Sequence, residues 1–243
     1  MLVKICGITS EADALLAVAL GADAIGFVFA PSRRQVSPQA VQRIVDRVPS
    51  GIVTVGVFRN EAPARVVEIV NTIGLTGAQL HGDETPDDVS YVAQRVPWTI
   101  KAFPAGHPGI GHLADYGAAA VLVDAASPGS GELFDWRLAE GVVDPARLMV
   151  SGGLRPDNVA DAIAHLRPMG VDVASGVESS PGRKDPRLVR SFVIAARRAA
   201  AELGVPEGIR PLAGGAGEAA AEAGAGEPED PGQPFDWQQE EEV

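Results

Sequence analysis

The chain has 243 residues, of which 46% are hydrophobic and 21% charged, a balance typical of one soluble domain with a substantial core. It contains a single cysteine, which excludes an intrachain disulfide and is typical of a reducing compartment. No segment has the pattern of a signal peptide or of a membrane span. We therefore expect a cytoplasmic protein that does not contact a membrane.

The formal net charge of −12 is distributed unevenly along the chain. Residues 205–243 contain ten Asp or Glu side chains and only one basic residue, Arg210, so this segment carries −9 and the remainder is close to neutral. The segment is rich in Gly, Ala and Glu and has no apolar periodicity. We predict a folded domain over residues 1–204, a disordered acidic tail over 205–243, and no nucleic-acid partner.

Eight short apolar runs alternate along the chain with segments of helical spacing, such as that of Val41, Ile44 and Val48. Eight strand–helix units in about 200 residues favour a (β/α)₈ barrel over an open doubly wound sheet. The predicted strands are Leu2–Cys6, Ala24–Phe29, Ile52–Phe58, Gly77–His81, Trp98–Phe103, Ala120–Asp124, Arg147–Ser151 and Val171–Ala174.

Polar and reactive residues follow the carboxyl ends of these strands, where barrels of this kind carry their chemistry. Each residue alone is a weak indication, because loops are polar in general. Their common placement on one rim makes them the candidate site, which comprises Cys6, Arg34, His81, Asp124, Gly152, Gly153, Ser175 and Gly176.

Two glycine turns follow the last two strands of the predicted barrel, Gly152-Gly153 after strand seven and Ser175-Gly176 after strand eight. Small residues let backbone N–H groups approach a ligand, and this position in the barrel commonly binds phosphate. The alternative is that both are only tight connections between strand and helix. The pattern favours a phosphate ester as the ligand.

Six sequence blocks together resemble the signature motifs of the phosphoribosylanthranilate isomerase family, in the correct order from Met1 to about Leu203. They are Lys4-Ile5-Cys6-Gly7-Ile8-Thr9, Gly26-Phe27-Val28-Phe29, Arg34-Gln35-Val36-Ser37-Pro38, Gln79-Leu80-His81-Gly82-Asp83-Glu84, Gly129-Ser130-Gly131 with Phe134-Asp135-Trp136, and Ser175-Gly176-Val177-Glu178-Ser179-Ser180-Pro181-Gly182.

The resemblance implies an Amadori rearrangement in tryptophan biosynthesis, from N-(5-phosphoribosyl)anthranilate to 1-(2-carboxyphenylamino)-1-deoxyribulose 5-phosphate. It also implies that Asp124 is the acid that opens the furanose ring, that Cys6 is the base that removes the proton from C2, and that Arg34 binds the anthranilate carboxylate. Such chemistry requires one acid and one base. We expect no cofactor and no metal.

These roles set conditions on the site. An ordinary thiol, with a pKa of about 8.5, is mostly protonated at neutral pH, so a basic Cys6 requires positive neighbours. Lys4 is expected to lie too deep in the barrel, which leaves Arg34 and helix N-termini as the candidate neighbours. Asp124 must keep its proton, which calls for burial or a nearby negative charge such as those of the substrate.

Some residues on the rim have more than one interpretation. His81 is either a hydrogen-bond donor to the substrate or a structural link between loop and barrel. Asp83 and Glu84 are expected to begin the next helix. Arg183-Lys184 is expected to face solvent.

Two other functions stay open from the sequence. One is a related phosphosugar barrel enzyme, such as indole-glycerol-phosphate synthase or a histidine-pathway isomerase, although Cys6 replaces the first of the paired aspartates that the latter would require. The other is a non-catalytic sensor of a phosphometabolite, although both Cys6 and Asp124 are present. In each case we expect a small phosphoribosyl-type ligand and a monomer or homodimer.

Overall fold

Eight parallel strands form a closed barrel in sequence order, because β1 pairs with β8 as well as with β2. The computed structural model describes residues 1–125 and 144–205. The barrel strands are β1 (Leu2–Ile5), β2 (Ala24–Val28), β3 (Val53–Phe58), β4 (Gly77–Leu80), β5 (Thr99–Pro104), β6 (Ala120–Asp124), β7 (Leu148–Val150) and β8 (Gly170–Val173), and a small antiparallel pair follows, β9 (Glu178–Ser180) and β10 (Arg183–Lys184).

Side chains cap the N-termini of several of the described helices. Thr85 and Asp88 form a reciprocal capping box, and Asp185 accepts hydrogen bonds from the first turn of the last helix. Among residues 1–125 and 144–205, no helix has the length and apolarity to cross a membrane. The helices are α1 (Glu11–Ala19), α2 (Pro38–Val45), α3 (Pro63–Ile73), α4 (Pro86–Ala93), α5 (Leu113–Tyr116), α6 (Val159–Leu166) and α7 (Pro186–Leu203).

The core has two layers, because successive strand residues point to opposite faces of the barrel wall. In β1, Val3 and Ile5 belong to the layer between barrel and helices, whereas Leu2 belongs to the barrel interior with Ile100 and Leu122 and others. Lys4 has the same parity as Leu2 and is fully buried. The alternation in β1 therefore directs a charged side chain into the barrel interior.

All eight predicted strands are confirmed, with no end more than one residue from its predicted position. Gly- and Pro-rich sequence follows β5, where the structure has a 3₁₀ turn over Pro108–His112 and the four-residue α5. The β9–β10 pair was not predicted. The sequence blocks at 129–136 lie outside the described residues, as do all residues after Val205 of the tail predicted over 205–243.

We expect a shortened chain of residues 1–205 to keep the thermal stability and the turnover of the full chain. The last barrel strand and α7 are complete at that point, and Gly204 caps the helix. Thermal unfolding and turnover of both chains would be measured side by side. A large loss of either in the shortened chain would show that residues 206–243 contribute to the fold or to the site.

Candidate active site

The carboxyl ends of the barrel strands surround a cavity of about 250 Å³. Every predicted site residue lines this cavity, although the residues come from six different strand ends. They are Cys6, Arg34, His81, Asp124, Gly152, Gly153, Ser175 and Gly176. The closed barrel therefore brings together groups that are up to 170 residues apart in the sequence.

Cys6 directly follows β1, and its backbone N–H donates to the Val173 carbonyl at 2.8 Å. The side chain is buried but borders the cavity. Gly26 on β2 provides the space beside it, because a Cβ at that position would lie 2.7 Å from Cys6 Sγ and 3.1 Å from Lys4 Nζ. The thiol and the Lys4 ammonium group thus lie against the same glycine.

Burial raises the pKa of the Cys6 thiol, and the positive charges of Lys4 and Lys184 offset this effect only in part. The prediction that Lys4 lies too deep to influence Cys6 is wrong, since Lys4 favours the thiolate more than any other neighbour does. With a pKa above that of an ordinary thiol, Cys6 is a protonated thiol at neutral pH. Once ionised, it is a stronger base than an ordinary thiolate.

Lys4 is held inside the barrel by two buried partners. Its Nζ lies 2.9 Å from Asp172 Oδ1 on β8 and 3.0 Å from Gln79 Oε1 on β4. Burial would lower the pKa of Lys4, but the neighbouring Asp172 carboxylate and Cys6 outweigh burial and raise it. The side chain is thus a charged ammonium group buried in the barrel interior, beside residues that line the cavity.

Asp124, the last residue of β6, is buried but well supplied with hydrogen-bond donors. The Ala125 N–H donates to Oδ1 at 2.8 Å, and His81 Nε2 lies 3.2 Å from Oδ2. Burial would raise the pKa of this carboxyl, yet the contacts with His81, Ser151 and Ala125 outweigh it and lower the pKa. This lowered pKa does not meet the condition that Asp124 keeps its proton near neutral pH.

His81 lies between Asp124 and the barrel interior. Its Nδ1 is 2.8 Å from Gln79 Nε2. Its Nε2 is buried and close enough to Asp124 for a hydrogen bond, but among the described residues it has no partner aligned for one. His81 thus connects Gln79 to Asp124, with Nδ1 facing the Gln79 amide and Nε2 facing the Asp124 carboxylate.

Arg34 is fixed by a carboxylate to which the sequence analysis assigned no role. Glu178 accepts from Arg34 Nε and Nη2, each at 2.8 Å, in a bidentate pair. Lys184 Nζ donates to the same Glu178 at 2.9 Å and to the Cys6 carbonyl at 2.6 Å. The prediction that Lys184 faces solvent is wrong, because Lys184 is buried and its ammonium group donates to Glu178 and to the Cys6 carbonyl.

The two glycine turns contact each other at the cavity wall. Gly153 has a φ of +65°, and a Cβ on Gly176 would collide with the Leu154 carbonyl oxygen. Asn158 fixes the first turn, since its side chain donates to the Gly153 carbonyl at 3.0 Å and accepts from the Arg155 N–H at 2.7 Å. Close packing of the turns therefore requires glycine at these positions.

The prediction that Glu84 begins the following helix is wrong, because α4 starts at Pro86. The Glu84 carboxylate is buried, lies 2.7 Å from Lys101 Nζ and accepts from the backbone N–H groups of Asn60 and Gly82. It holds together the loops after β3 and β4. Within the described ranges, no group of three or more His, Cys, Asp or Glu side chains is arranged to hold a metal ion.

Comparison with known proteins identifies the family. A family profile described as N-(5'-phosphoribosyl)anthranilate (PRA) isomerase matches residues 3–195. The chain belongs to the phosphoribosylanthranilate isomerase family. The predicted family, the barrel fold and the assignment as an isomerase of tryptophan biosynthesis are thereby confirmed.

Relatives of this family align over nearly their whole length. The chain is 47% identical over 205 residues to the N-(5'-phosphoribosyl)anthranilate isomerase of Trichlorobacter lovleyi, covering 81% of this chain and 98% of the relative. The phosphoribosylanthranilate isomerase structure from Thermus thermophilus gives a TM-score of 0.76 at 42% identity, over 82% of this chain and 99% of that one. A further isomerase structure (TM-score 0.72, 39% identity, 82% and 100% covered) is a complex with reduced 1-(o-carboxyphenylamino)-1-deoxyribulose 5-phosphate.

Sequence reasoning missed several residues that organise this isomerase site. Gln79 and Glu178 stand within the motifs that carried the family resemblance, but nothing in the sequence indicated their partners. The sequence did not indicate the contacts of Lys4, Asp172 and Lys184, because these contacts join opposite ends of the chain, as in the Lys4–Asp172 pair. A charged residue at an inward position of a barrel strand was the one usable signal.

We expect the alkylation rate of Cys6 to keep rising at pH values above about 8.5, where an ordinary thiol is half ionised. Burial raises the pKa of this thiol, so its thiolate forms later as the pH increases. The rate of inactivation by iodoacetamide would be measured against pH, with free glutathione as the reference. A midpoint at or below that of glutathione would contradict the expected direction.

Proposed function

We propose that this member of the family isomerises N-(5'-phosphoribosyl)anthranilate with Asp124 as the general acid and Cys6 as the general base. The observation that carries the assignment is that both groups line one cavity from different sides of the barrel. Cys6 follows β1 and Asp124 ends β6, three strands away around the ring. A sugar placed between them has its ring oxygen and its C2 carbon within reach of separate groups.

The reaction begins with two proton transfers by the protein, and a tautomerisation completes it. Asp124 protonates the furanose ring oxygen, and the C1–O bond breaks to give a Schiff base. Cys6 then removes the proton from C2 to give an enolamine, which tautomerises to the ketone. Lys4 and Lys184 stabilise the thiolate that this step requires, because both lie near Cys6 and oppose the effect of its burial.

Arg34 binds the anthranilate carboxylate. Glu178 accepts hydrogen bonds from Arg34 Nε and Nη2. Among the described residues Arg34 Nη1 has no partner, so that group is available to a ligand. The bidentate pair fixes the plane of the guanidinium before the substrate arrives, which reduces the ordering that binding requires. Glu178 is thus the residue that positions Arg34.

The phosphate binds between the turns Gly152-Gly153 and Ser175-Gly176. Both turns line the cavity and belong to the adjacent strands β7 and β8. The short 3₁₀ turn over Ser175–Val177 takes the place of a long helix behind the second turn, so backbone N–H groups of the turns supply the donors. A cytoplasmic location and a monomeric or homodimeric state complete the proposal.

We expect Cys6→Ser and Asp124→Asn each to lower kcat far more than the roughly hundredfold at the low end for general catalysis. A serine hydroxyl is not ionised near neutral pH, and an asparagine has no proton to transfer. KM for phosphoribosylanthranilate should stay within about tenfold, because both variants keep the shape of the site. The decrease of substrate fluorescence during turnover is the measurement.

A matched control is Asp161→Asn, the same change on the exposed face of α6, which should leave kcat and KM unaltered. Binding of the reduced product analogue to each inactive variant tests that the site is intact. If Cys6→Ser keeps near-normal turnover, the thiol is a packing residue. If Asp124→Asn does so, the acid is another group.

We expect Gly153→Asp to raise KM by at least about tenfold, because it brings a carboxylate to the wall where the phosphate binds. The matched control is Gly51→Asp, which also replaces a glycine of positive φ but has open space around it. Both variants would be compared by steady-state kinetics and thermal unfolding. An unaltered KM in a folded Gly153→Asp enzyme would show that the phosphate binds in a different part of the cavity.

A further inference from the structure

Gln79 has only one possible orientation in this site. Lys4 Nζ lies 3.0 Å from one end of its side-chain amide, and an ammonium group can only donate. That end must therefore be the carbonyl oxygen, which leaves the NH₂ group at the other end. The NH₂ group lies 2.8 Å from His81 Nδ1.

This orientation determines the tautomer of His81. An amide NH₂ group can only donate, so Nδ1 must be the acceptor and carries no proton. The proton of the neutral ring is then on Nε2, the nitrogen that lies 3.2 Å from Asp124 Oδ2. Donation thus runs from the Lys4 ammonium group to Asp172 on one side and to Gln79, and from Gln79 to His81 Nδ1, on the other. His81 Nε2 then carries its proton next to the Asp124 carboxylate.

The same geometry decides where an additional proton resides. A proton on Nδ1 would face the donor hydrogens of Gln79, and rotating that amide would instead direct its NH₂ group at the Lys4 ammonium. Both arrangements place two buried donors against each other. The Asp124 carboxylate is the remaining acceptor of the pair.

We infer that Gln79, held by Lys4 and Asp172, is a positioning residue that keeps His81 neutral with its proton on Nε2, so that a proton gained by the His81–Asp124 pair belongs to Asp124. The inference rests on the proposed role of Asp124 as acid. It gives the proposed acid a source of its proton, because Gln79 leaves no room for a second proton on His81 Nδ1 and the Asp124 carboxylate is the acceptor that remains.

Charged groups on the neighbouring strands are consistent with this arrangement. Lys4 on β1 and Asp172 on β8 form a pair, so they contribute little net charge at His81. Lys101 on β5 is paired with Glu84 and donates to the Gly82 carbonyl. Among the described residues of these strands, the charge that remains next to the ring is that of Asp124, so the orientation of Gln79 determines which ring nitrogen carries the proton.

The decisive variant is Gln79→Glu. A carboxylate accepts at both ends, so it keeps the contact with Lys4 and draws a proton onto His81 Nδ1. His81 should then be an imidazolium at neutral pH, and Asp124 should stay a carboxylate. We expect kcat to fall on the order of a hundredfold, with KM changed by only a few-fold, as for loss of a general acid.

The direct readout is the ¹⁵N spectrum of the histidine side chains, in which the two neutral tautomers and the imidazolium are distinguishable. The chain has four histidines, and a His81→Asn variant assigns the signal. In the wild-type enzyme at neutral pH we expect a neutral His81 protonated on Nε2. In Gln79→Glu we expect both ring nitrogens to be protonated.

The matched control is Gln94→Glu, the same change at an exposed residue after α4, which should alter neither the His81 signal nor the kinetics. A wild-type His81 protonated on Nδ1, or an unaltered His81 signal in Gln79→Glu, would overturn the inference. The wild-type spectrum decides this even if the variant does not fold. A failure of Asp124→Asn to lose turnover would instead refute the proposed acid, whatever the state of His81.

Discussion

The ion pair between Lys4 and Asp172 is the interaction on which the site depends. Its two charges lie 2.9 Å apart inside the barrel, where desolvation is costly and the loss of one partner would leave the other unpaired. Such a pair is weak support for stability, but it is well suited to fixing geometry. It places an ammonium group beside the Cys6 thiol and sets the orientation of Gln79, and thereby connects the base side of the cavity to the acid side.

Much of this arrangement follows from the sequence because a parallel barrel leaves few alternatives. Short apolar runs at regular spacing predict the strands, and the closed topology brings their carboxyl ends to one rim. Cys6, His81 and Asp124 could therefore be placed together without knowledge of any contact. The residues at strand ends were predictable because their location depends on the position of the strand alone.

The error over Lys4 has a different origin. Its backbone lies two residues before Cys6 in β1, a rise of about 6.6 Å. The prediction that Lys4 lies too deep rests on this distance between backbone positions. A lysine stem of four carbons spans much of that rise, and the barrel interior directs it along the axis. The position of a backbone in a strand does not fix the position of a long charged group. The cluster of Arg34, Glu178 and Lys184 shows a second limit. Because 144 residues separate Arg34 from Glu178, the sequence gives no sign that they pair.

The cluster of Arg34, Glu178 and Lys184 also explains how an acidic chain attracts an anionic substrate. Two cations share one carboxylate, so the cluster carries a net positive charge next to Cys6, whereas the whole chain has a formal net charge of −12. Nine of those negative charges belong to residues 205–243, so residues 1–204 are close to neutral and the cluster determines the sign of the charge beside Cys6. The same positive charge helps to stabilise a thiolate at Cys6, so the proposed substrate binding and the proposed role of Cys6 as base depend on one group of side chains.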